Sequence, residues 1–110
     1  MKIANWIILC LLPILIINYP NPFDPKGGQV STFECISDVS AEASLYIYDM
    51  SARLVLQKAF NLQANPNNRA SWDGRSGQNE LVGNGIYLYR LVNSASKTTL
   101  AKGKIWVINK

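Results

Sequence analysis

From Gln29 to its C-terminus the chain is a series of short runs, alternating or wholly apolar, each cut off by turn residues after roughly 8 to 12 positions. A helix would need apolar residues recurring at three and four over ten or more positions, and no such stripe survives. The pattern therefore predicts an all-β fold of antiparallel strands, a sandwich or barrel. Val30 to Cys35 reads as the first strand, ended near Ser37 and Asp38. Ala43 to Asp49 alternates, with Leu45 and Ile47 on one face and Tyr46 and Tyr48 on the other. Arg53 to Phe60 is its hairpin partner, with Leu54, Val55 and Leu56 leaving the inward face undecided. Gln63 to Asn68 reads as a polar loop whose proline bars a strand, and Arg69 to Asp73 as a short strand. Arg75 to Gly85 is a loop, Ile86 to Val92 the strongest strand, and Thr98 to Ile108 the last, with Gly103 as its bulge or bend.

The start of the chain is different. Lys2 is followed by an apolar run to Ile17, the length of a signal-peptide core and short of the roughly 20 residues a membrane span needs. Residues 1–18 are expected to form a hydrophobic signal or anchor helix, and residues 19–110 the domain. No small-x-small cleavage site follows, because Ile17, Asn18 and Tyr19 are large, so cleavage and retention as an anchor both stay open. A lipid on Cys10 is disfavoured by the bulk of Leu9 before it.

The residue inventory excludes several kinds of chemistry. With no histidine and no recognisable pair of catalytic carboxylates, neither general acid–base work nor a nucleophile–base dyad is provided for. Asp24, Asp38, Asp49 and Asp73 match no loop that gathers six or more oxygens around calcium. No metal, cofactor or small-molecule substrate is expected. The net charge of +4 comes from cations scattered among carboxylates, not the stripe that would follow a phosphate backbone. Cys10 lies in the apolar start and Cys35 in a strand, so no disulfide is expected within the domain.

Individual residues have packing roles to fill. In Tyr19-Pro20-Asn21-Pro22-Phe23-Asp24-Pro25, three prolines push the residues before them toward extended geometry. Phe23 then plugs the end of the sandwich, unless the segment is a partner-recognition ramp. Trp72 reads as a core aromatic, with Asp73 and Gly74 forming a turn in which the carboxylate bonds nearby amides. Tyr87, Tyr89 and Leu91 are assigned to the core face. That leaves Ile86 and Leu88 beside Arg90 outside, as ordinary surface or as part of a docking patch.

Four separated stretches carry a resemblance. "YPNPFDP" (Tyr19 to Pro25), "LYIYDMSARLV" around Tyr48 and Asp49, "WDGRSGQNELVGNGIYLYRL" with Trp72, Asp73, Gly74, Gly85, Tyr87 and Tyr89, and the terminal "KGKIWVINK" occur in order. Together they resemble the immunoglobulin-like domain of the flagellar hook-capping protein, and are similar to the C-terminal sorting domains of type IX secretion cargo. The resemblance covers Tyr19 to Lys110 and implies an Ig-like β-sandwich of about seven strands. It departs from the family after "IYD", where Ala52 stands in place of a glycine.

The resemblance implies a non-catalytic exported module for secretion sorting or cell-surface attachment through protein contacts. The alternatives are an assembly or capping module of an envelope or appendage complex, or the detached C-terminal tail of a larger secreted protein. The candidate sorting strand comprises Lys104, Ile105, Val107 and Lys110. A protein partner from the secretion or envelope machinery, or the parent protein, is expected, with no nucleic acid. Membrane contact through residues 1–17 is left open. The expected location is extracytoplasmic: secreted, on the cell surface, or in the periplasm of a Gram-negative bacterium.

Overall fold

The computed structural model describes residues 14–110. They form seven strands: β1 (Ile16–Tyr19), β2 (Ser31–Ser37), β3 (Ala43–Tyr48), β4 (Leu54–Ala59), β5 (Asn65–Trp72), β6 (Gly85–Asn93) and β7 (Thr99–Val107). Two antiparallel sheets result, ordered β1-β2-β5 and β4-β3-β6-β7. This is the all-β sandwich that the alternation implies, and the described residues contain no helix.

Alternation decides what lies between the sheets, because successive side chains of a strand point to opposite faces. Phe33 and Cys35 of β2, Leu45 and Ile47 of β3, Tyr87, Tyr89 and Leu91 of β6, and Ile105 and Val107 of β7 are all buried in one core. Two aromatic contacts tie the sheets together. Phe33 meets Tyr89 edge-on with centroids 5.1 Å apart, and Trp72 meets Tyr87 in the same way at 5.7 Å. Edge-to-face pairs of this kind add about 0.5–1.5 kcal/mol each beyond the area they bury. Burial also pushes the Cys35 thiol and the Tyr89 phenol up from their ordinary pKa values.

Three features differ from the sequence-based expectation, and a fourth, left undecided there, is resolved. The helix expected at the start is absent where the structure describes it: Ile16, Ile17 and Asn18 join Tyr19 as β1, paired with Cys35 to Thr32 of β2. Continuous apolarity hid a half-buried strand in which Ile16 packs against the core and Ile17 faces out. The rest of the expected signal or anchor, residues 1–13, lies outside the described residues.

Second, the loop at Gln63 to Asn68 is in part strand, since β5 begins at Asn65 and contains Pro66. A proline is tolerated there because β5 is the edge of its sheet. Third, Gly103 makes no bulge. It sits in register opposite Tyr89, and the irregularity falls between Leu91 and Val92.

Fourth, the ambiguity at Leu54 to Leu56 resolves as a register shift: Leu54 opposes Tyr48 and Leu56 opposes Ile47, leaving Val55 unpaired between them. The hairpin closes through Ala52 N–H to the Asp49 carbonyl and Asp49 N–H to the Arg53 carbonyl, both at 3.0 Å. Ala52 has φ 67°, the left-handed conformation of a three-residue hairpin loop that glycine usually fills.

Candidate functional site

The opening motif and the end of the chain meet at one end of the sandwich. Phe23 is 1% exposed, with its ring 5.5 Å from that of Trp72. The Trp72 indole N–H donates to the Arg75 carbonyl at 2.8 Å, and the Asp73 carboxylate accepts the Arg75 N–H at 3.0 Å. Gly74 adopts φ 79°, and a Cβ there would strike the Pro25 ring, so the turn after Trp72 needs glycine on both counts. Tyr87 completes the group, donating its hydroxyl to the Gly83 carbonyl at 2.8 Å. Gly85 begins β6 opposite Val107.

The same motif closes the free side of β7. The Asn21 carboxamide donates to the Lys104 carbonyl and accepts the Trp106 N–H, each at 2.9 Å, so one side chain pairs with β7 as a short strand would. Phe23 continues the pairing: its N–H donates to the Trp106 carbonyl at 2.9 Å, and its carbonyl accepts the Ile108 N–H at 3.0 Å. Farther along, Ile14 N–H reaches the Leu100 carbonyl at 3.1 Å. An edge that could recruit a foreign strand is thus covered at both ends. Beyond β7, Asn109 is held by Asn84, Val82 and Lys26, and Lys110 N–H donates to Asp24 at 3.2 Å.

The candidate sorting strand divides. Ile105 and Val107 are fully buried, so nothing can read them on the folded domain. Lys104 and Lys110 are exposed, as is Trp106 between the buried pair.

The outward faces of the two sheets differ in charge. On the three-stranded sheet, the Tyr19 hydroxyl donates to Glu34 at 2.6 Å and Arg69 lies 3.4 Å from the same carboxylate oxygen. The hydroxyl holds the Glu34 carboxyl below its ordinary range, and the charge there is balanced. The strands of the other sheet contain no Asp or Glu at all. Their outward positions form rows: Tyr48, Leu88 and Lys104; Tyr46, Arg90 and Lys102; Ile86 and Trp106. Tyr46 and Tyr48 lie 6.3 Å apart with rings nearly parallel, at 9°. An open recess of about 650 Å³ runs over Leu88, bordered by Tyr48, Ala52, Arg90, Lys102 and Lys104. The sequence pointed to Ile86, Leu88 and Arg90 of this face. Trp106, Lys102 and Tyr46 join them only through strand order, which no local pattern reveals.

Among the described residues, no cluster of three or more His, Cys, Asp or Glu side chains gathers to hold a metal. Asp49 is instead committed to its hairpin, accepting the N–H groups of Ser51 at 2.8 Å and Arg53 at 3.0 Å.

The geometry is that of a seven-stranded antiparallel sandwich closed by an N-terminal motif. No family model and no curated protein matches the chain. Solved structures do. The chain is similar to part of dimeric latent PorU from Porphyromonas gingivalis, with TM-score 0.70 and 24% identity over 91% of this chain and 10% of that one. It is similar to part of PorZ of the same organism, described as an essential bacterial surface component of the type IX secretion system. There the TM-score is 0.60 and the identity 23%, over 86% of this chain and 11% of that one. FlgD from P. aeruginosa matches with TM-score 0.61 and 17% identity, over 87% of this chain and 74% of that one. The chain thus spans about a tenth of PorU and PorZ, and the likeness is one of fold. It is the fold of the Ig-like domain type that the four sequence stretches resemble.

Proposed function

We propose that the chain is a non-catalytic, extracytoplasmic Ig-like module that serves secretion sorting or cell-surface attachment through protein contacts. The observation that carries this reading is the treatment of the terminal strand. β7 is anchored by Ile105 and Val107, sealed by Asn21 and Phe23, and presents Lys104, Trp106 and Lys110 on the outside. A partner that reads those three residues reads a folded domain and not a loose tail. The likeness in fold to parts of PorU and PorZ supports the same direction. The test is a reporter fused ahead of Ile14 in a host with type IX secretion. The reporter is expected at the surface or in the medium when residues 14–110 follow it. If it stays in the periplasm with or without them, the sorting reading ends.

The likeness to FlgD favours a second reading, an assembly or capping module. Edge pairing between copies is left to β1, β4 and β5, because β7 is covered. Lys58 already spans from β4 to β5, its ammonium donating to the Ser71 carbonyl at 2.6 Å. Only monomer on gel filtration and crosslinking at high concentration would remove self-assembly. A chain that is the tail of a larger secreted protein would share either role. Export or anchoring by residues 1–13 remains a proposal too, decided by intact mass and alkaline carbonate extraction.

A further inference from the structure

The outer face of β4-β3-β6-β7 combines two properties that seldom coincide on a surface with no partner. It exposes large apolar side chains, with Trp106 at 51% and Ile86 at 37% in the row next to Leu88, which lines a recess bordered by Tyr48 and Lys104. It also carries Arg90, Lys102 and Lys104 on strands with no carboxylate to neutralise them. Among the described residues none of the three has an ion-pair partner, and Arg90 donates only to the Thr99 hydroxyl, at 2.6 Å. Neighbouring strands lie about 4.8 Å apart, so Lys104 and Lys102 flank the recess close to the Arg90 row. Like charges held together repel, and an anionic occupant relieves that repulsion.

The chemistry of the face narrows the occupant. A neutral sugar would leave Arg90, Lys102 and Lys104 without a counter-charge, and the strands of the face supply no carboxylate to accept from its hydroxyls. A phosphate backbone needs a longer track of cations than three residues around an apolar floor. A peptide that alternates acidic and apolar side chains fits both properties, with an apolar group over Leu88 and Tyr48 and carboxylates on the cations.

We propose that this face docks an extended acidic–apolar segment of a partner protein. The inference rests on the reading of the chain as a protein-contact module, and names the chemistry of the contact. Its test is fluorescence anisotropy of the full chain in non-ionic detergent with a labelled peptide of about twelve residues alternating Glu or Asp with Leu or Phe. Binding is expected to be saturable and to weaken at least about tenfold in Lys102→Glu/Lys104→Glu, and again on raising salt from about 0.05 to 0.5 M. Leu88→Ser should also weaken it, while Arg69→Glu on the opposite sheet should not. Equal binding of a Lys-for-acid analogue, or unchanged binding by the charge-reversed variant, overturns the proposal. So does capture by phosphatidylserine vesicles or an acidic polysaccharide, lost in the same variant, when the peptide does not bind. A chain that binds the peptide but does not redirect the reporter loses the sorting reading alone. One that redirects the reporter without binding the peptide loses this face alone.

Discussion

The side-chain oxygen of Asn21 accepts the backbone N–H of Trp106 at 2.9 Å, across 85 residues of chain. Its amide nitrogen donates two residues away, to the Lys104 carbonyl. Asn21→Ala removes both bonds and should cost about 1–3 kcal/mol in urea unfolding. It also bares two backbone groups on the edge of β7, so association should rise with concentration on size-exclusion chromatography. Asn21→Asp keeps the bond to Trp106 but sets a carboxylate against a carbonyl, and should fall between wild type and alanine.

Ala52 occupies a left-handed position that costs a residue bearing a Cβ about 1–2 kcal/mol. Ala52→Gly should relieve it, less the extra freedom glycine gives the unfolded chain. The net expectation is stabilisation of about 0.5–1 kcal/mol, seen as a higher urea midpoint at unchanged slope. An unchanged or lower midpoint would contradict the strain.

The Asp49 carboxyl is held below its ordinary range, first by the Arg53 backbone N–H and then by the Ser51 N–H and the Arg53 charge. Since its folded value lies below the unfolded one, its contribution is whole above about pH 5 and drains as pH falls below about 4. Glu34, lowered chiefly by the Tyr19 hydroxyl, adds to the same acid limb. Thermal melts should therefore drop in acid, and Asp49→Asn should melt lower at neutral pH with a shallower acid slope. A slope identical to wild type would remove Asp49 from the account.

Gly103 lies under the Tyr89 ring, and a Cβ there would meet the phenol oxygen and ring carbons together. Gly103→Ala should destabilise by about 1–3 kcal/mol through overpacking. Tyr89→Phe removes the nearest of those atoms, so the double variant should lose less than the sum of the singles. Strict additivity would show that ring and glycine do not press on one another.

Where the pattern has period two, the fold was legible. Leu45 and Ile47, and Tyr87, Tyr89 and Leu91, stand on the core side because alternation admits no other register once one face is buried. Phe23 and Trp72 were readable as end-plug and core, being bulky aromatics beside residues that force turns. The misses have physical causes of their own. Ile16 and Ile17 sit in an apolar run without a period, and only the pairing with β2 sorts one inward and the other out. Pro66 is harmless because of its place at an edge, a fact of strand order. The charge-unbalanced face needs β3, β6 and β7 side by side, and β3 is far from β6 in sequence.

The bonds between the opening motif and the residues that follow Lys104 also govern when this end of the domain can be sealed. Phe23 has its backbone partners at Trp106 and Ile108, and Asp24 receives the N–H of Lys110. A polypeptide that emerges N-terminus first, from a ribosome or through a membrane pore, can set the Phe23 ring against Trp72 early, but the Phe23 backbone has no partner until Trp106 and Ile108 are out. A product truncated before Trp106 would leave the Phe23 backbone without the two partners that seal this end of the sandwich.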